Sequence, residues 1–214
     1  MNWDWLGRHA GQITSWFLAH LVLAGLPTVL GLLLAVPLGA VARRYLWVYP
    51  PLISLAGLVY TVPSIALFVL LPGILGTKVL DPVNVVVALT IYTVALLVRT
   101  VADGLAAVPS DIVQSATAMG FRPARRLLAV ELPVALPVIG AGLRVAAVSN
   151  VSLVAIAALI GVPQLGQLFT QGFQLDFYTP IFAGIVGCLV IAAVFDAVIV
   201  LTVRWRTRWR GAAS

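Results

Sequence analysis

The chain is 214 residues long, 62% apolar and only 9% charged, with a formal net charge of +6 and a mean hydropathy of +1.09. A soluble domain covers itself with about 25% charged residues, so this composition excludes an unaided soluble protein and points to an integral membrane protein. Cys188 is the single cysteine, which excludes an internal disulfide.

Trp3, Asp4, Trp5, Arg8 and His9 precede any apolar run, and no small-x-small site follows, so the N-terminus does not resemble a cleaved signal peptide. A bilayer-spanning helix needs roughly 20 apolar residues. Five stretches qualify: 14–42, 48–71, 83–102, 138–160 and 180–203. The expected fold is therefore all-α and polytopic, a single transmembrane domain over 1–214 with about five membrane helices. The first stretch is long enough to tilt, or to begin as an interfacial helix around Trp3, Trp5, Trp16 and Phe17. Pro63 predicts a kink inside the second. Gly25, Gly31 and Gly39 in the first, with Gly184 and Gly187 in the fifth, predict close helix packing.

Arginine placement sets the expected orientation. Arg43 and Arg44 follow the first span, Arg122, Arg125 and Arg126 the third, and Arg204, Arg206, Arg208 and Arg210 the fifth. The other side carries only Arg8 and Lys78, nine against two with the span-end residues Arg99 and Arg144 set aside. The positive-inside rule then places the N-terminus outside, and the C-terminus and the 104–136 loop in the cytoplasm. The positive charge is accounted for by topology and lipid headgroups, with no nucleic-acid partner implied.

That loop is dense in helix punctuation. Pro109-Ser110-Asp111 starts a short helix, with Ser110 or Asp111 as the cap. Ile112, Val113, Ala116 and Met119 fall on one helical face, and Gly120 is placed to terminate in the left-handed region. Arg122-Pro123 restarts a helix that Pro133 and Pro137 end, opening the fourth span. A helix of about ten residues is roughly 15 Å long, too short to cross. It is expected on the membrane surface, where the small side chains of Ser115, Ala116 and Ala118 let another protein approach its backbone.

Gln114-Ser115-Ala116-Thr117-Ala118-Met119-Gly120, nine further residues and then Val130-Glu131-Leu132-Pro133 resemble the signature loop of the permease subunits of bacterial binding-protein-dependent ABC importers. The resemblance runs over about residues 20–203, through Tyr60-Thr61-Val62-Pro63-Ser64, Leu97-Val98-Arg99-Thr100, Ala141-Gly142-Leu143-Arg144 and Gly161-Val162-Pro163-Gln164-Leu165-Gly166. Within that superfamily the chain is most similar to the osmoprotectant branch, which imports glycine betaine, proline betaine, choline or carnitine; amino-acid and sulfonate permeases share much of the pattern. Two departures stand out. The family's Glu-Ala-Ala reads Gln114-Ser115-Ala116, and its Gly-Ala-Gly-Gly-Leu-Gly reads Gly161-Val162-Pro163-Gln164-Leu165-Gly166. Both fit a subunit paired with a non-identical sister.

The resemblance implies a bacterial inner-membrane permease with a short coupling helix that seats in an ATPase dimer. Ser110, Asp111, Gln114, Ser115, Ala116, Met119, Gly120 and Arg122 are the expected coupling residues. It further implies a second permease chain, identical or related, and an extracytoplasmic solute-binding protein. The only lysine, Lys78, lies in Gly76-Thr77-Lys78-Val79, which lacks the P-loop context. No cofactor is therefore expected on this chain, and ATP and magnesium belong to the partner ATPase.

Polar residues inside spans are candidates for a solute pathway, because each is costly in lipid unless it faces protein or water. They are Thr61, Ser64, Thr90, Tyr92, Thr93, Ser149, Asn150 and Ser152. Asn150 with Ser149 and Ser152 either lines a passage or pins a helix contact. Tyr60, Tyr92 and Phe173 read as scattered aromatics. Asp196 must find a partner within the fifth span, and Arg99 and Arg144 are the candidates for a structural ion pair. His9 and His20 have no metal-ligand types nearby in sequence. A membrane-embedded enzyme, the remote alternative, needs paired acids or a nucleophile with a histidine at membrane depth, which this pattern does not supply.

Overall fold

In a computed structural model that describes residues 2–209, all regular structure is helical. Helix α1 (Trp3–Arg44) is unbroken for 42 residues, about 63 Å by its rise and roughly twice the hydrocarbon thickness. The interfacial start and the first span are thus one rod. Helices α2 (Tyr49–Thr61) and α3 (Ser64–Leu75) follow, then α4 (Pro82–Ala106). The loop contains α5 (Ser110–Ala118) and α6 (Pro123–Arg126). A π turn (Leu127–Glu131) leads straight into α7 (Leu132–Ile156), which ends in a 3₁₀ turn (Ala157–Ile160). Helices α8 (Gly166–Gln174) and α9 (Tyr178–Arg206) complete the described chain. Arg210, counted above in the basic tail, lies outside the described residues.

Among the described residues, four helical runs are long and apolar enough to cross a membrane: α1, α4, the continuous run Pro123–Ile160, and α9. The second expected span, 48–71, falls on a broken pair, α2 and α3, bent by 101°, which makes a fifth span if the pair is counted as one. Pro63 does more than kink it. Val62 before the proline is driven to extended backbone (ψ 131°), Pro63 has no N–H to donate, and the helix stops and restarts. The Tyr92 hydroxyl on α4 donates to the Val62 carbonyl, which satisfies an acceptor that lipid would leave bare.

A correction concerns Pro133 and Pro137. They do not end the loop helix; the helix runs through both. In the π turn the Leu132 N–H reaches back five residues to Leu127, and this wider turn takes up the strain of a nearby proline. Helix α8 was not anticipated. Its signal is the spacing Leu165, Leu168, Phe169 and Gly172, of which Leu165, Leu168 and Gly172 are buried.

Helices α1, α4 and α7 form the centre. A Cβ on Gly31 would lie 2.3 Å from the Thr93 side chain, and one on Gly39 would lie 2.7 Å from Val101. Only glycine lets α1 and α4 meet so closely. Gly184 and Gly187 do the same for α9 against Phe169 and Leu165. Two apolar clusters result. One gathers Leu23, Phe68, Leu89, Val154 and Leu165; the other gathers Ala35, Leu97, Leu105 and Ile139. Between them, on all three helices, lies a polar layer. Asn150 donates its amide to Thr28 Oγ1 and Thr93 Oγ1, both at 2.9 Å. Each threonine gives its own proton to a helix carbonyl, Ala24 or Leu89, so its oxygen is free to accept.

Replacing Gly31 by leucine is expected to force α1 away from Thr93 and open this layer. The loss should be at least ~1–3 kcal/mol, as for other overpacked cores, read as a lower unfolding temperature of the purified protein by tryptophan fluorescence.

Candidate functional site

Helix α5 hangs from the end of α4 by three residues. Its apolar stripe turns inward: Ala116 is buried, Ile112 and Val113 are half-buried, and Val113 packs on the cluster around Leu105. Ala116 therefore does not offer its small side chain to a partner, contrary to expectation. Met119 also departs from the stripe, since it stands 70% exposed. The outward face consists of Ser110, Asp111, Gln114, Ser115, Thr117, Ala118 and Met119.

Neither Ser110 nor Asp111 caps the helix, because Pro109 occupies the cap position and no side-chain cap bond forms. Asp111 instead sits in the first turn, where the helix dipole favours a carboxylate. The other end is built as expected. Gly120 has φ +82°, its N–H bonds to Thr117 O at 3.0 Å, and the Phe121 N–H bonds to Ala116 O at 3.1 Å. This pair of bonds is the Schellman arrangement. Arg122 is exposed, and the Arg125 guanidinium lies 5.0 Å from the centre of the Phe121 ring.

Behind α5 is a charge cluster that sequence reasoning passed over. The Glu131 carboxylate, 3% exposed, bonds to Arg43 from the end of α1 and, at 2.8 Å, to Arg126 of α6. Arg126 continues to Thr117 Oγ1 at 2.7 Å. The three ionic side chains border an open cleft of about 640 Å³ with Pro37, Ala40 and Ala124. A buried acid at the inner edge of the loop was visible in Val130-Glu131-Leu132-Pro133, but its arginine 88 residues earlier was not.

The candidate pathway residues separate. Tyr92, Ser149 and Asn150 meet around a crevice with Tyr60, Thr93 and Leu153, closed to the point that no water-sized space remains. The aromatics are not all scattered: Tyr60 and Tyr92 pack edge to face with ring centres 5.7 Å apart. Thr61, Ser64 and Ser152 do not line this crevice. Thr61 bonds back to Leu58 O, and Ser152 is exposed while Asn150 is buried. The expected Ser149–Asn150–Ser152 cluster is thus corrected to Asn150 with Thr28 and Thr93, which pins three helices.

Asp196 of α9 pairs with Arg144 of α7, with its second oxygen 3.1 Å from Nη2. Arg99 takes the nearer Asp103, one turn along α4, at 3.5 Å. His20, fully buried, places Nδ1 3.0 Å from Gln164 Oε1 and Nε2 3.0 Å from Val151 O. Gln164 also accepts the Gly166 N–H at 2.5 Å. The unusual Pro163-Gln164 pair thereby ties the turn before α8 to α1.

Residues 28–208 match the model of the family described as "Binding-protein-dependent transport system inner membrane component". The chain belongs to that family. This permease is 34% identical over 193 residues to "Osmoprotectant import permease protein OsmW" of Salmonella typhimurium, covering 88% of each chain. It is 30% identical over 203 residues to "Choline transport system permease protein OpuBB" of Bacillus subtilis, covering 94% of this chain and 91% of that one. Its fold is that of an inward-facing crystal form of the MetNI methionine ABC transporter: TM-score 0.80 at 20% identity, over 94% of this chain and 98% of that one. The permease is a multi-pass bacterial inner-membrane protein and a transport component, not an enzyme. As the inner-membrane component of a binding-protein-dependent transport system it works with a substrate-binding protein.

Two outcomes are expected from variants here. Gly120→Val in the permease puts a β-branched residue at positive φ, at about 1–2 kcal/mol, and should speed tryptic cleavage after Arg125 in membranes. Asp196→Ala leaves Arg144 without its anion in the spans and should lower the amount of folded permease recovered from membranes, while Asp196→Glu should preserve most of it.

Proposed function

We propose that the permease carries a compact quaternary-ammonium osmoprotectant, of the glycine betaine, choline or carnitine type, into the cell. The names of the relatives at 26–34% identity support that substrate class. The fold neighbours that handle methionine and other amino acids are more distant in sequence, at 18–20% identity. A second permease chain, identical or related, completes the conduit, because about five spans make only half of one. ATP and magnesium act on the ATPase, and this chain holds no cofactor.

The N-terminus lies outside and the C-terminus and α5 lie in the cytoplasm, in keeping with nine arginines against two basic residues. Helix α5 is the coupling helix. The observation that carries this is its construction: a short helix, closed at Gly120 and fastened behind by Arg126 and Val113, with an outer face that is polar from Ser110 to Thr117 and ends in exposed Ala118 and Met119. An ATPase groove that grips Gln114, Ser115 and Met119 moves the whole loop as a body. Gln114 in place of an acid removes one charge from that contact. Tyr60 and Ser149, which share the closed crevice, border the passage that opens between the two chains, with Tyr60 available to face a quaternary ammonium.

ATP-dependent uptake of radiolabelled glycine betaine and choline into vesicles carrying the complete complex tests the substrate. Competition by neither compound class, with uptake of an amino acid instead, overturns it. For the coupling face, Ser115→Trp is expected to cut ATP-driven uptake on the order of tenfold with the permease still inserted. Uptake at the wild-type rate, or a tag at position 118 that is labelled only from outside intact cells, defeats the assignment.

A further inference from the structure

We infer that Glu131 is the positioning residue that joins the coupling loop to the long first helix, so that α5 and the inner end of α1 move as one piece. The inference deepens the coupling reading above and rests on it.

Three independent features converge on this carboxylate. First, its place is one where an apolar residue belongs. Glu131 continues the inward stripe of α7 that runs through Ala135, Ile139 and Ala146, all buried. A carboxylate there is unfavourable unless it is paired. Second, its two partners come from separate elements, Arg43 from the last turn of α1 and Arg126 from α6. One anion between two guanidiniums bridges elements that are 88 residues apart in sequence, and it resists separation because parting either pair takes from the buried Glu131 carboxylate one of its two cations. Third, the backbone is adapted to the purpose. Arg126 and Glu131 are five residues apart, and an ordinary α-helix brings residues three or four apart together. The π turn over Leu127–Glu131, bonded five residues back, stacks them.

The connection then reaches α5 itself. Thr117 donates its hydroxyl proton to Val113 O within the helix and accepts from Arg126 Nη1. The path Thr117–Arg126–Glu131–Arg43 thus runs from the coupling helix to the rod that carries Thr28 and His20. A push on α5 is passed to α1 across the cleft between Ala40 and Ala124 without closing it. Without Glu131 the loop keeps its apolar seat on Leu105 and Leu127 but loses its hold on α1.

The complete complex, reconstituted in vesicles with its solute-binding protein and radiolabelled glycine betaine, gives the test. Solute imported per ATP hydrolysed should fall on the order of tenfold in Glu131→Gln and in Arg43→Gln, and Glu131→Asp should recover most of it. Spin labels at positions 40 and 124, with Cys188→Ala, should keep one separation with and without trapped ATP in the otherwise wild-type chain, and should acquire a nucleotide-dependent separation when Glu131→Gln is added. Should Glu131→Gln fail to accumulate, Arg43→Gln decides alone. Wild-type import per ATP in that variant, or a label separation that changes with ATP while Glu131 is intact, overturns the inference. A cysteine at position 115 that never cross-links to the ATPase in the otherwise wild-type complex removes the coupling reading itself. That result is separable because it precedes any change at Glu131.

Discussion

The bonds of Asn150 to Thr28 and Thr93 hold the register of α1, α4 and α7. In lipid there is no gain from moving apolar surface out of water, so packing and hydrogen bonds must choose how helices meet. An amide between two hydroxyls chooses sharply, since a helix that slides by one turn leaves donors and acceptors bare. The glycines at 31 and 39 bring α1 close enough for those bonds to form. The apolar clusters on either side then follow from the register and do not set it.

The same need for satisfied polar groups governs the outer elements. The break between α2 and α3 frees the Val62 carbonyl, and Tyr92 meets it. The turn before α8 exposes amide groups, and Gln164 meets Gly166 while His20 steadies Gln164. The departure from the family's glycine-rich turn is thereby intelligible: a side chain replaces what tighter backbone would do. Asp196 and Arg144 obey the same rule for full charges.

At the loop, irregular backbone and buried charge coincide. The π turn, the acid at an apolar position and the arginines from two elements form one device, and none of them makes sense without the others. Such an arrangement is stiff, which is what a surface gripped from outside requires if motion is to reach the spans. Beside it α5 is held by its apolar stripe and left polar outward. Its buried Ala116 belongs to the seat, and Ser115 and Met119 to the face.

Much of this was legible in one dimension. Hydropathy marked where the crossings lie, because a span must be long and apolar whatever it packs against, although the helices of the first and fourth begin well before their apolar stretches. Gly120 announced its left-handed turn, and the glycines of α1 their contacts, because those requirements are local or concern size alone. The family pattern in the loop was readable for the same reason. What the string of residues left undecided were matters of direction and of distant partners. Whether Ala116 looks in or out, whether Asp196 takes Arg99 or Arg144, and whether Asn150 lines a passage or binds helices depend on which faces meet. Proline at 63 and at 133 reads alike in sequence, yet one breaks a span and the other is carried through a wider turn. Only the packed arrangement brings Arg43 to Glu131, because it decides which helix ends lie side by side.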